Sequence, residues 1–219
     1  MRWILLLLPC FLAGQSERPL DAAFRFADGV YLSHATLLAN APEIGWADVG
    51  GEMVQLPEDH RLQIDGFHLR SAGADKPSET PYAVALEGEA YLFVEHDARR
   101  GFHEFAGLQV VGRFSTVTYD TTVHLRRLMK AYNPATGTPF REGWVERDQR
   151  RTVHRVVDMT TGERLPLDRA TVQRLVTGES DLESALEQLA DDSDAKLRRA
   201  LEIYNKRHPL LLPPPQANR

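Results

Sequence analysis

The sequence predicts an α+β fold: a strongly bent antiparallel sheet, a short N-terminal helix, and C-terminal helices packed on the sheet. Three observations carry this expectation. The central third sets short apolar runs either side of turn residues, as in YAVAL, Glu87-Gly88 and AYLFV, the pattern of a hairpin. The C-terminal end repeats leucines at helical spacing behind capping residues. No dinucleotide or P-loop glycine pattern and no internal repeat organises the chain otherwise.

The elements follow in order. MRWILLLLPCFLAGQ has one Arg, a short apolar run and then Ala13-Gly14, the layout of a secretory signal peptide over residues 1–14. Cleavage is expected after Ala13 or Gly14. A lipid-anchored form through Cys10 is the alternative, although Pro9 is a poor residue before a lipidated cysteine. Residues 15–209 then read as one domain, sheet-rich over 80–167 and helical over 168–208, with 210–219 an extended Pro-rich tail. Within it, residues 14–23 are a flexible lead-in. Asp28-Gly29 is a turn before a short strand at 30–32, and Ser33 caps a short helix in HATLLAN that Pro42 stops. Residues 43–81 carry scattered turn residues around short apolar pieces and predict irregular strands, with SAGADKPSET an exposed loop.

FHEFAG and LQVVGRFSTVTY continue the sheet. Gly112 inside the latter marks a bulge or a close backbone approach. TTVHLRRLMKAY predicts a short helix from the spacing of Leu125, Leu128 and Met129, and NPATGTPF a loop. GWVERDQRRTVHRVVDM and ERLPL predict an antiparallel pair turning at Thr161-Gly162. Asp168 caps a helix that ends at Gly178. Ser180 to Glu183 reads as a capping box ahead of Leu182, Leu186 and Leu189. Asp192 or Ser193 caps a last helix carrying Leu197, Leu201 and Tyr204, with Pro209 as its stop.

Composition removes several function classes. Of the 219 residues, 26 are Lys or Arg and 31 Asp or Glu, a net charge of −5. Nucleic-acid binding needs a basic field to displace counterions, and the basic pairs here sit among acids. The single cysteine lies in the signal segment. The mature chain therefore has no disulfide, thiolate nucleophile or cysteine zinc site. No apolar run after the signal is long enough to span a membrane.

Three pieces, DGVYLSHATLLANAP, LQVVGRFS, and DMTTGERLPL with YNKRHPL, carry a resemblance. They resemble a group of small exported bacterial proteins of uncharacterised function, known mainly from Bacteroidetes-type genomes. The shared pattern is a DG-Y-S opening (here Asp28, Gly29, Tyr31 and Ser33), a central apolar strand bearing Gly112 and Arg113, and a YN-x-R-x-P close at Tyr204, Asn205, Arg207 and Pro209. The resemblance implies export and one architecture over most of the chain. It brings no active site and implies no reaction.

Candidate chemistry centres on His103-Glu104 in RGFHEFAGL. The zinc-hydrolase pattern H-E-x-x-H fails, because its second His would fall on Gly107 and the following residues favour a strand. A hairpin centred on residues 99–100 instead sets His96 opposite His103 and Glu95 opposite Glu104, close enough for two imidazoles to share a zinc. The metal-ligand candidates are therefore His96, His103 and Glu104, with Asp97 or a distant His as a further donor. The plain alternative is two surface histidines. Arg113 is a candidate anion site, or pairs with a carboxylate. Trp46, Trp144 and Tyr132 are candidates for stacking on a sugar or a partner, against ordinary packing. Ser33 beside His34 reads as a helix cap rather than a nucleophile.

The resulting expectation is an exported, non-enzymatic, envelope-associated binding protein. Its partner is a protein or envelope component, and no cofactor is required. Two alternatives stand beside it: a metal-assisted hydrolase with zinc at His96 and His103, and a carbohydrate-associated module using exposed aromatic residues.

Overall fold

The computed structural model describes residues 16–70, 80–98 and 100–215. The expected signal peptide with Cys10, the SAGADKPSET loop as far as residue 79, and the last four residues of the tail lie outside the described residues. The chain runs β1 (Arg18–Pro19), β2 (Gly29–Tyr31), α1 (His34–Leu38), β3 (Val49–Leu56), β4 (Arg61–Leu69), β5 (Ala83–Leu86), β6 (Glu89–Asp97), β7 (Phe102–Gly107), β8 (Phe114–Tyr132), β9 (Pro139–Asp158), β10 (Arg164–Pro166), α2 (Arg169–Leu175), α3 (Ser180–Glu187), α4 (Asp194–Arg207) and β11 (Leu211–Leu212).

This corrects the expected α+β class. Strands hold 45% of the residues and helices 21%, so the fold is dominated by its curled antiparallel sheet. Two segments account for the difference. Residues 43–81, expected to be irregular, supply β3 and β4, two full strands of the main sheet. TTVHLRRLMKAY, expected to be helical, is the outer half of the 19-residue β8. Its Leu125, Leu128 and Met129 suit one helix face, but no core is there to receive that face. Three β-branched residues (Thr121, Thr122, Val123) and a complementary partner strand favour the extended state.

Six strands form the main sheet in the order β2-β5-β6-β7-β4-β3, all antiparallel. Val30 and Val49, from strands at opposite ends of that order, belong to one buried cluster with Leu62, Ile64, Phe67 and Phe105, so the sheet curls around it. The other face, with Ala83, Leu92 and Ala106, packs on Val117, Val157 and Met159 from the base of a three-stranded sheet, β10-β9-β8. A third cluster joins α2, α3 and α4 to Val110, Phe114 and Val156 through Val172, Leu186, Leu197 and Leu201. The tail residues of β11 pair with β1, so the expected lead-in and tail meet as a small two-stranded sheet.

Local chemistry sets the helix ends. Ser33 and Thr36 form the capping box of α1, and Asp168 accepts from the Thr171 amide at 2.8 Å. α3 begins at Ser180, the expected cap, so that the N-cap is Glu179, one residue earlier; Glu183 reaches back to the Gly178 amide at 2.9 Å. Ser193 occupies the N-cap of α4 without a side-chain hydrogen bond to the helix. Among the described residues no helix is long and apolar enough to cross a membrane.

Gly112 lies just before β8, not in it. A Cβ there would sit 2.4 Å from the Asn205 side chain. That close approach lets Asn205 hold both the amide and the carbonyl of Phe114 at 2.9 Å, tying α4 to the start of β8. The residues of the resemblance thus do structural work. Asp28 accepts from the Gly88 amide, Tyr31 is fully buried with its hydroxyl donating to the Ala27 carbonyl, and Arg207 pairs with Glu179 and Asp181.

Candidate functional site

β6 and β7 form the hairpin that the sequence outlines, and His96 does face His103, with Glu95 opposite Glu104. Val94 is the extra residue of a bulge between Phe93 and Glu95. The two imidazoles stack, centroids 4.4 Å apart and planes 28° from parallel. His103 is half-buried against Phe67 and Phe93, not lying open at the surface as the sequence suggests, and its Nδ1 is buried without a hydrogen-bond partner. Burial, reinforced by the neighbouring His96, pushes its pKa down.

Glu104, the third expected ligand, points the other way. Adjacent residues of a strand project to opposite faces, and Glu104 is buried against Arg61 on the side facing the three-stranded sheet. Asp97 closes the hairpin turn by accepting from the Arg100 amide. Among the described residues no three His, Cys, Asp or Glu side chains gather closely enough to hold a metal ion. The structure therefore brings together two of the three candidates.

The face carrying Glu104 holds a charged cleft of about 290 Å³ at the base of β8 and β9, lined by Arg61, Glu95, Glu104, Asp120, Thr121 and Arg150 among others. Arg61 pairs with Glu104 and reaches Asp120 at 3.4 Å; Arg150 reaches Asp120 at 3.1 Å. Burial raises the Glu104 pKa, and Arg61 partly offsets it. The Asp120 pKa is lowered, first by the hydroxyl of Thr152 at 2.7 Å and then by Arg150 and Arg61. Arg61 and Arg150 thus hold Glu104 and Asp120, Glu95 accepts from the Thr121 hydroxyl at 3.4 Å, and the network fastens the base of β8 to the main sheet.

A second polar chain was not legible in the sequence, because its members are 36 or more residues apart. Thr118 Oγ1 lies 3.0 Å from His154 Nδ1, and His154 Nε2 lies 3.0 Å from Asp194. The order resembles a hydroxyl–imidazole–carboxylate relay. Its surroundings are those of a clamp, however. Arg198 donates to the same hydroxyl at 2.7 Å and also to Gln109, which saturates the would-be nucleophile and ties α4 to β8.

The remaining candidates separate. Trp46 is on the body, donating to the Ala85 carbonyl at 2.9 Å. Arg113 pairs with no carboxylate among the described residues; its guanidinium lies 5.8 Å from the Phe114 ring centroid. Trp144 and Tyr132 lie far along the pair β8–β9, 59% and 56% exposed.

That pair is the feature the sequence reading missed. β8 and β9 stay registered from Phe114↔Asp158 to Tyr132↔Pro139. Thr122 and Arg150 still line the charged cleft; beyond them no described residue of the pair belongs to a core cluster, and nearly all described residues from 122 to 152 are exposed. The ribbon projects about 35 Å at the usual strand rise. Among the described residues, six of the eight exposed large apolar side chains are on it, including Leu125, Met129 and Val145. The available signal was period-two charge complementarity between HLRRLMK and EGWVERD, which a helix spacing count overlooks. Compared with protein-family models, curated proteins and solved structures, the chain matches none.

Proposed function

We propose that this is an exported, envelope-associated binding protein without catalytic chemistry, and that the β8–β9 ribbon is its contact element. One observation carries the reading: a projecting ribbon that adds nothing to the core keeps large apolar side chains in water. Apolar side chains held there raise the free energy of the isolated protein, a cost offset once a partner covers them. The clefts favour catalysis less. In the charged cleft Glu104 and Asp120 are already held by arginines, and the His96–His103 pair stacks its rings instead of converging lone pairs on one point. A carbohydrate partner draws some support from Trp144 and Tyr132, but one face of the Trp144 ring is already covered by Arg126, 4.8 Å from its centroid.

The test is capture from the native envelope extract with the mature chain as bait. A ribbon-shortened variant, with residues 124–148 replaced by an Asn-Gly turn that joins the opposed Val123 and Gln149, serves as the comparison. Components held by the wild type and lost with the shortened ribbon are expected. Equal recovery by both baits would refute the assignment of the ribbon, and processing of a chromogenic ester or phosphate substrate dependent on His96 would refute the non-enzymatic reading.

A further inference from the structure

The register of the ribbon separates its side chains into two faces of different electrical character. On one face His124 meets Asp148 at 2.5 Å, Arg126 meets Glu146 at 3.9 Å, and Lys130 meets Glu142 at 2.8 Å. Every acid of the ribbon is on this face, and each has its base. The opposite face carries Arg127, Arg141, Arg147 and Arg151 and no acid. Among the described residues none of these four is in an ion pair. Leu125, Met129 and Val145 lie between them.

We propose that the outer part of the ribbon docks on an anionic phospholipid surface and inserts shallowly among the headgroups. This deepens the binding role proposed above and rests on it. The argument begins from charge. Residues 121–151 hold seven Lys or Arg and three Asp or Glu, a net +4; the rest of the chain holds 19 against 28, a net −9. A protein of this overall sign is repelled by an anionic surface unless its basic part is held apart from its acidic part. The ribbon holds its tip about 35 Å away, several times the ~8 Å screening length at physiological salt.

The apolar side chains favour a lipid interface over a groove on another protein. Near the tip they occupy both faces: Leu128 and Trp144 on one, Met129 and Val145 on the other. A protein groove covers one face of a ribbon, whereas the headgroup region surrounds whatever enters it. The turn between the strands, Asn133 to Thr138, carries no charge that would resist entry. Trp144 and Tyr132 suit the boundary between headgroup and acyl chain. The paired and unpaired Arg behind them can bind phosphate through two N–H groups each while their stems lie on apolar surface. Charges on both faces from Arg126-Arg127 and Glu146-Arg147 stop the ribbon from crossing, since a spanning strand needs one continuous apolar face.

The experiment is vesicle flotation with the purified mature chain, comparing phosphatidylcholine alone with equal parts phosphatidylcholine and phosphatidylglycerol. Binding to the mixed vesicles only is expected, weakened by added salt. Arg127→Glu with Arg147→Glu should lower it by about tenfold or more. Met129→Ser with Trp144→Ser should do the same. All four positions are exposed, and unchanged thermal melts by circular dichroism verify that the variants fold. Tryptophan emission should shift to the blue on vesicle addition, and the shift should vanish in Trp144→Phe. Failure of the folded wild type to bind mixed vesicles overturns the proposal. So does equal binding by the Arg variant, or a concentration-dependent dimer in sedimentation that the same substitutions abolish, since the occupant is then a second copy. If vesicles are ignored while the shortened ribbon still loses a protein from the envelope extract, the lipid assignment falls and the contact role of the ribbon stands.

Discussion

At the residue scale, a few side chains carry consequences out of proportion to their number. His103 is the clearest. Its imidazole packs on Phe67 and Phe93 and stacks on His96, and burial followed by the charge of His96 holds its pKa below the usual histidine value. The sign follows from linkage. The unfolded chain takes up this proton first, so stability is complete above about pH 6.5 and is lost as pH falls from there through the lowered folded value. His103→Phe should fill the same aromatic pocket and flatten that loss. The measurement is the urea midpoint of wild type and variant at about pH 8 and about pH 5; equal pH dependence in both would count against the buried-imidazole account. Asp120 does not obscure the result. Its pKa is lowered, so its own contribution is lost only below the ordinary Asp range, about pH 4. The opposition of His96 and His103 was legible because hairpin pairing is arithmetic about a turn. The placement of Glu104 followed equally from strand alternation, yet setting it beside His103 in one ligand set ignored that neighbours in a strand face apart. The meeting of Gly112 with Asn205 was half legible: a glycine in an apolar stretch signals close approach, but nothing local names a partner 93 positions away.

At the element scale, the last helix and the ribbon are opposites, and one comparison separates them. α4 turns Leu197 and Leu201 into the third core cluster, with Asn205 and Arg198 fixing its position against β8. Leu201→Ala should cost about 2–5 kcal/mol, the usual range for a buried leucine, and lower the melting temperature accordingly. The ribbon beyond Thr121 contributes to no core cluster, and an isolated two-stranded hairpin is at best marginally stable. Replacing residues 124–148 by an Asn-Gly turn should therefore leave the melting temperature near that of wild type. A large drop on shortening the ribbon would mean that it supports the body. The helices were readable because their caps and leucine spacing are local signals. β3 and β4 were not, since their pairing with each other, and that of β4 with β7, is set by long-range register and by glycines such as Gly51 and Gly66 at positive φ. The ribbon was misread for a related reason. A helix count scores residues against their own neighbours, whereas here the partner of Arg126 is Glu146, on the other strand.

At the scale of the whole molecule, a compact acidic body carries a basic lever. The lever is fastened at its base by Arg61, Glu104, Asp120 and Arg150, and of these the Arg61–Glu104 pair is buried. Sequence composition reported only the sum, −5, and concealed a division into +4 and −9 that appears when the fold says which residues project. The same division bears on solubility. A two-stranded ribbon has two open edges, and along each of them amides and carbonyls are free to pair with another chain. Native sheets protect such edges with charge and proline, and this ribbon has both: arginines at close intervals along both strands, and Pro134 and Pro139 at the turn. The unpaired arginines then act as gatekeepers against fibril nucleation, whatever they bind. Arg127→Leu with Arg147→Leu should leave the body folded and yet seed thioflavin-positive, edge-to-edge polymers, while Arg127→Lys with Arg147→Lys should remain monomeric under the same agitation. If both pairs polymerise alike, something other than charge keeps the edges apart.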